Sequence, residues 1–306
     1  MIETVRGPIK PEELGICACH EHVHIDLSPI KKSNDTALTD YDRVKEDVAR
    51  FIKAGGKAFI EMTNVGMGRN IQFMRRLSEE LDMHIVASTG CYKDPFIPAE
   101  ALSWNREQFA AFMLQEIEEG IDGSLSKPGV IGEIGSSLNE FKPVETELFH
   151  GAIIAAKESG LPLATHTTLG TMALEQVELF AKEGLPLDQV IIGHQDLNEN
   201  DEVVLEVLAA GCYVAMDTIG KENYRSDRER LTSLLRFIEA GYGDKIMLST
   251  DITRNSHLFA AGGQGFDYTL REFQPRMEAS GLSQQEIRKL LIENPANAFS
   301  KREGTS

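Results

Sequence analysis

Eight short apolar runs, each strand-sized and bounded by turn residues, follow one another along the chain: Ile16 to His22, Lys57 to Thr63, His84 to Gly90, Gly129 to Gly135, Pro162 to Thr167, Val190 to Asp196, Cys212 to Thr218 and Lys245 to Asp251. Segments with helical spacing separate them. In Asp42 to Ala54, the side chains of Val44, Val48, Phe51 and Ile52 make one apolar stripe that stops at Gly55 and Gly56. Asn70 to Leu81, Arg106 to Gly120, Val144 to Ser159, Met172 to Gly184, Asn200 to Ala210, Ser226 to Ala240 and Tyr268 to Ser280 can be drawn as helices in the same way. Strict alternation of strand and helix calls for parallel strands with crossover helices, and eight such units close a barrel. The expected fold is therefore α/β, a (β/α)8 TIM barrel. An additional C-terminal helix is expected from Gln284 to Glu293, with Ser283 and Glu286 as a capping box and Pro295 just beyond its end, covering one barrel mouth or packing outside. No linker, low-complexity tract or repeat divides the chain, so residues 1–306 are read as one domain.

Metal-binding residue types gather at the ends of these runs: His20 and His22 in the first, Glu133 in the fourth, His166 in the fifth, His194 in the sixth and Asp251 in the eighth. All strand C-termini of such a barrel meet at one mouth. Alternation along a strand pairs His20 and His22 with Ile16 and Ala18, Glu133 with Ile131, His166 with Ala164, His194 with Ile192, and Asp251 with Ser249 and Met247, so all six are expected to point inward. One such histidine would read as an ordinary core or rim residue; the set carries the argument. Four imidazoles and two carboxylates conflict as bare neighbours, and divalent cations remove the conflict. Six ligands exceed what one tetrahedral zinc needs, so the count predicts two metal ions about 3.5–4 Å apart, bridged by a carboxylate and a hydroxide. Glu133 lies between the two groups of histidines and is the natural bridge. Zinc is the expected metal, although His and carboxylate ligands also accept manganese, cobalt or iron.

Charge and composition narrow the partners. Thirty-one Lys and Arg against 48 Asp and Glu give a net charge of −17, which disfavours phosphate-backbone contact and excludes nucleic acid. No stretch approaches the roughly 18 apolar residues of a membrane span. Pro8, Lys10 and Pro11 stand where a signal peptide would need an apolar segment, so no membrane association and a cytoplasmic location are expected. Cys17, Cys19, Cys91 and Cys212 do not make a secreted disulfide framework and read as small buried apolar residues.

With these residues in this order, the chain resembles the phosphotriesterase family of the amidohydrolase superfamily, and within it the branch of phosphotriesterase homology proteins. The likeness runs from CHEH (19–22) through TGCYKDP (89–95), GEIGSS (132–137), THTTLGTMALEQ (165–176), GHQDL (193–197) and DTIGK (217–221) to STDITRNSHL (249–258). It implies that His20, His22 and Asp251 hold the buried metal, His166 and His194 the more exposed one, and Glu133 both. Many family members bridge with a carboxylated lysine; Glu133 fills that slot here, so assembly should need no carbon dioxide. Family members are often dimers, and a homodimer is expected on that ground. The family also contains lactonases and amidases, and neither fold nor metal names the substrate.

Two cations sharing a water lower its pKa from about 15.7 toward about 7, making a hydroxide nucleophile at neutral pH. Asp251 is placed to take its proton and pass it to the leaving group. Tyr92, just after the third run, corresponds to a tyrosine that leans toward the metal water or substrate in family lactonases, against the plainer reading of a packing aromatic. Lys221, Arg254 and His257 follow the seventh and eighth runs, where barrels often bind phosphate, and by resemblance to sugar-phosphate lactonases Lys221 and Arg254 hold an anionic group. A tyrosine of those enzymes is replaced by His257. Alternatively, Arg254 pairs with Asp217 or Asp267. Trp104 walls the pocket or anchors on the surface; Arg69 is a weaker candidate in a glycine-shaped turn; His24 is a rim residue, His84 structural, and His150 solvent-facing. The leading expectation is a lactonase acting on a sugar lactone or other anionic lactone. The alternatives are an amidohydrolase cleaving an N-acyl amino acid or N-acyl aminosulfonate, with phosphotriester hydrolysis at most a side activity, and a metal-binding protein without turnover.

Overall fold

Eight parallel strands form the centre of the structure, a computed structural model describing residues 1–302. They are Cys17–Glu21, Ala58–Glu61, His84–Thr89, Val130–Ser136, Leu163–Thr167, Val190–Ile192, Tyr213–Met216 and Ile246–Leu248, paired in sequence order. Side chains join the first and last: Ser249 Oγ lies 2.7 Å from both His20 O and Glu21 Oε1, and it accepts the His20 N–H at 3.2 Å. This is the (β/α)8 barrel expected from the alternation.

The expected helices are present as a surrounding layer. Tyr41–Lys53 starts where Asp40 accepts the Arg43 N–H at 3.2 Å and buries Val44, Val48 and Phe51. Ile71–Leu81 is capped by Asn70, and Asp227–Glu239 by a Ser226–Glu229 capping box. Two apolar layers result. One lies between sheet and helices and includes Ala18, Phe59, Ile131, Ile192 and Leu248. The other fills the barrel and includes Cys17, Cys19, Ile60, Val130, Ala164, Ile191 and Met247. Ile2, Leu14, Ala296 and Phe299 belong to this inner cluster. The N-terminal segment and the last helix therefore plug the end of the barrel away from the ligand-type residues.

Three details depart from the expectation. The strands Ile2–Thr4 and Gly7–Ile9 form an N-terminal hairpin that the alternation does not reveal. Pro295 does not end the last helix: Gln284–Arg288 passes through a wide π turn, Lys289–Glu293, into Asn294–Ala298. Pro275 is accommodated the same way, after the π turn Thr269–Phe273. A wider turn admits a ring that lacks an N–H and would clash with the preceding turn of a regular helix. Finally, His150 is only 15% exposed and lies 3.6 Å from Glu183 rather than facing solvent. All four cysteines are buried and unpaired. Among the described residues no helix is long and apolar enough to cross a membrane.

Candidate metal centre

The six ligand-type residues reach one mouth, but simple alternation does not bring them there. Ala18, Ile131 and Ile192 lie in the outer layer, so residues sharing their face would point away from the barrel axis. Register shifts between Ala18 and Glu21 and between Ile131 and Ile134 change the phase in the first and fourth strands. The sixth and eighth strands stop at Ile192 and Leu248, and His194 and Asp251 turn inward from left-handed backbone, φ 57° and 50°. Non-glycine residues resist that conformation by about 1–2 kcal/mol, and buried carboxylates hold it. Asp217 Oδ1 accepts the His194 N–H at 3.0 Å. Glu21 accepts the N–H groups on both sides of Asp251, from Thr250 at 2.8 Å and Ile252 at 2.9 Å.

Each imidazole has an engaged nitrogen and one that faces the carboxylates. His194 Nδ1 donates to Asp217 Oδ1 at 2.7 Å. His20 Nδ1 lies 3.1 Å from Asp217 Oδ2. Thr63 donates to Glu61, so its oxygen accepts from His22 Nδ1 at 2.8 Å. Thr168 donates to Ser136 O and accepts from His166 Nε2 at 3.2 Å. The opposite nitrogens converge: His20 Nε2, His194 Nε2 and His166 Nδ1 stand 3.5, 3.4 and 3.2 Å from Glu133 Oε2, while His22 Nε2 is 3.7 Å from Glu133 Oε1 and 3.2 Å from Asp251 Oδ1. His20 Nε2 and Glu133 Oε2 are buried and have no hydrogen-bond partner. Orphaned acceptors aimed at a common point fit divalent cations. His20, His22 and Glu133, and Glu133, His166 and His194, form compact donor groups, with Asp251 beside the first.

The electrostatics fit too. Burial would lower His20 and His194, but Glu133 and Asp217 outweigh it, raising His20 well above the usual range and His194 to about 10. Burial would raise Glu133 and Asp251. The histidines reverse this for Glu133, and Lys221 and His22 for Asp251, so both remain carboxylates well below the ordinary range. Burial and then the charge of His194 lower His166 to about 4. A field that draws protons onto buried imidazoles favours cations of any kind.

Beside these residues opens a cavity of about 240 Å³. Tyr92, Lys221, Arg254 and His257 line it. Tyr92 Oη is 3.1 Å from His166 Nδ1, and burial, then Glu133 and Asp251, raise its pKa well above the usual value, so it stays a hydrogen-bond donor. Lys221 pairs with Asp251 Oδ2. Arg254 is 3.7 Å from Asp35, not paired with Asp217 or Asp267; Asp267 is taken by Arg50 at 2.9 Å. His257 accepts the Thr253 N–H and is lowered to about 4 by burial and Lys221, so it is a neutral wall rather than a cation. Trp104 packs on Phe109 and Phe112, and Arg69 is buried against Glu116 and Asp122; neither lines the cavity. His24 bonds Gly68 O at 2.8 Å on the rim. Sequence reasoning missed Asp217 as the support of two histidines, although it directly follows the seventh strand and obeys the strand-end rule that found the others.

A model of the phosphotriesterase family matches residues 1–299. The phosphotriesterase homology protein of Escherichia coli K12 is 41% identical over 285 residues, 93% of this chain and 98% of that protein. Its crystal structure, with phosphate in the active site, superposes with a TM-score of 0.92, covering 94% of this chain and 99% of that one. A lactonase from Listeria monocytogenes superposes with a TM-score of 0.94 at 27% identity, covering 99% of each chain. The N-acetyltaurine hydrolase of Xenopus tropicalis is 28% identical over 336 residues, 96% of each chain.

Proposed function

This chain belongs to the phosphotriesterase family and is a metal-dependent hydrolase, and from that premise we propose that it opens small anionic lactones, sugar lactones among them. One observation carries the reading: a small cavity with cationic lining adjoins the ligand cluster in a chain of net charge −17. Positive charge there, against the sign of the molecule, suits a compact anion. The likeness to the Listeria lactonase over nearly the whole of both chains supports the bond type.

In this proposal His20, His22 and Asp251 would hold one divalent cation and His166 and His194 a second, with Glu133 shared between them, zinc being the first candidate and manganese, cobalt or iron the others. Bound there, the pair supplies an acidified water and a Lewis acid for the substrate oxygen. The chain's own residues do the rest. Asp251, kept ionised by Lys221, accepts the proton of the attacking water and returns it to the leaving oxygen. Tyr92 donates a hydrogen bond to the substrate oxygen. Lys221, Arg254 and His257 border the bound molecule. The buried, unpaired cysteines suit the reducing cytoplasm assigned here as its compartment, and a homodimer is the expected assembly.

A second reading keeps the site and changes the bond. The likeness to N-acetyltaurine hydrolases along 96% of each chain favours an N-acyl amide whose amine part carries a sulfonate or carboxylate. Proton release by the metal-loaded protein, with a chelated control, across sugar lactones with and without phosphate, N-acyl amino acids, N-acyl aminosulfonates and one phosphotriester separates the readings. Turnover of a lactone supports the first; a response from N-acyl compounds alone, with release of free amine, replaces it by the second.

A further inference from the structure

Two cations in the cavity wall are engaged with no acid. Lys93 and Lys31 both line the cavity, and among the described residues neither has a carboxylate within salt-bridge distance, whereas Lys221 is held by Asp251 and Arg254 faces Asp35. Glu145, which raises the Lys93 pKa, already accepts from Ser137 N and Oγ, Lys142 N and Asp94 N.

The two ammonium groups are brought to one wall by packing. Tyr92 and Phe96 form a ring pair with centroids 5.4 Å apart. Lys93 Nζ stands 5.7 Å from the Tyr92 ring and Lys31 Nζ 5.4 Å from the Phe96 ring. The Lys93 stem runs over Gly135, where any Cβ would come within 3.0 Å of it, so the glycine leaves room for this side chain. Tyr92 also reaches His166, which ties the wall to the ligand cluster. Lys31 belongs to a flap formed by Ile25–Asp26, Ser28–Lys31 and Ala37–Leu38.

We propose that Lys93 and Lys31 form the subsite that receives the anionic end of the substrate, a tetrahedral oxyanion such as a sulfonate or phosphate monoester. The inference rests on the anionic-substrate reading above and names the residues that read the charge. Two point-charge donors on one wall suit an anion that spreads its charge over several oxygens. Burial, opposed by Glu145 and assisted by Lys31, holds Lys93 below its usual pKa.

The test uses the metal-loaded chain, with propane-1-sulfonate and propyl phosphate titrated calorimetrically at low salt. Lys93→Gln and Lys31→Gln are each expected to weaken binding at least fivefold, with Lys93→Arg retaining it. In parallel, the preference in kcat/KM for a charged substrate over its neutral analogue should fall at least tenfold in Lys93→Gln. Lys31 is exposed, so its variant keeps the test open should Lys93→Gln fold poorly. Wild-type-like binding in both variants, or no binding of either probe to the wild type, overturns the subsite. Lysine-dependent binding without turnover of any lactone or amide supports the subsite and rejects the lactone and amide substrates proposed above. An unchanged charge preference with full turnover does the reverse.

Discussion

Asp217 holds His194 twice, through the backbone N–H at 3.0 Å and through Nδ1 at 2.7 Å. One carboxylate thus stabilises a left-handed backbone and leaves Nε2 directed at Glu133. Arg230, fully buried, extends this support, since its partner Asp196 accepts the Asp217 N–H at 3.1 Å. Replacing Asp217 by Asn removes the charge and keeps the shape. Supporting carboxylates of this kind are worth about 10–100-fold in metal affinity, and a loss in that range is expected in competition with a chromophoric chelator. Unaltered affinity would mean that Asp217 does not orient the histidines.

Asp251→Asn should lower turnover at least about a hundredfold, the scale of a lost proton-transfer group, while circular dichroism stays that of the wild type. Glu133→Ala should abolish turnover with the barrel still folded. Full activity in either variant would remove the proposed roles.

Divalent cations should stabilise the fold, because the donor groups come together only in the native state. A cation present at about a thousand times its Kd adds roughly 4 kcal/mol. Urea unfolding with and without chelator measures this difference, and coincident curves would argue against tight binding.

Arg69 has a structural role that the turn around it conceals. Its side chain is 2% exposed, and its guanidinium meets Glu116, which also accepts from Thr89 at 2.6 Å. Arg69→Met leaves a buried carboxylate unpaired and should cost about 3–5 kcal/mol in denaturant unfolding. A change in substrate preference without a loss of stability would place Arg69 in binding instead.

Much of this was legible in the sequence, and the exceptions have physical causes. Strand–helix alternation identifies the barrel because period and turn residues are local properties. The strand-end rule brings His20, His22, Glu133, His166, His194 and Asp251 together because all strand ends share one mouth. Simple alternation from Ala18, Ile131 and Ile192 does not give their facing, since bulges and left-handed residues change phase without a mark in the sequence. The continued helix at Pro295 follows from a π turn, a tertiary accommodation that local propensity does not encode. Arg254 meets Asp35 across the mouth, a pairing set by two distant loops.

The most direct test of the account is a metal titration of chelator-stripped protein with turnover followed at each addition, using whichever lactone or N-acyl compound the substrate panel identifies. Activity is expected to rise to a plateau at two equivalents of divalent metal per chain. A plateau at one equivalent, or activity independent of metal, would contradict the binuclear centre on which the proposed chemistry depends.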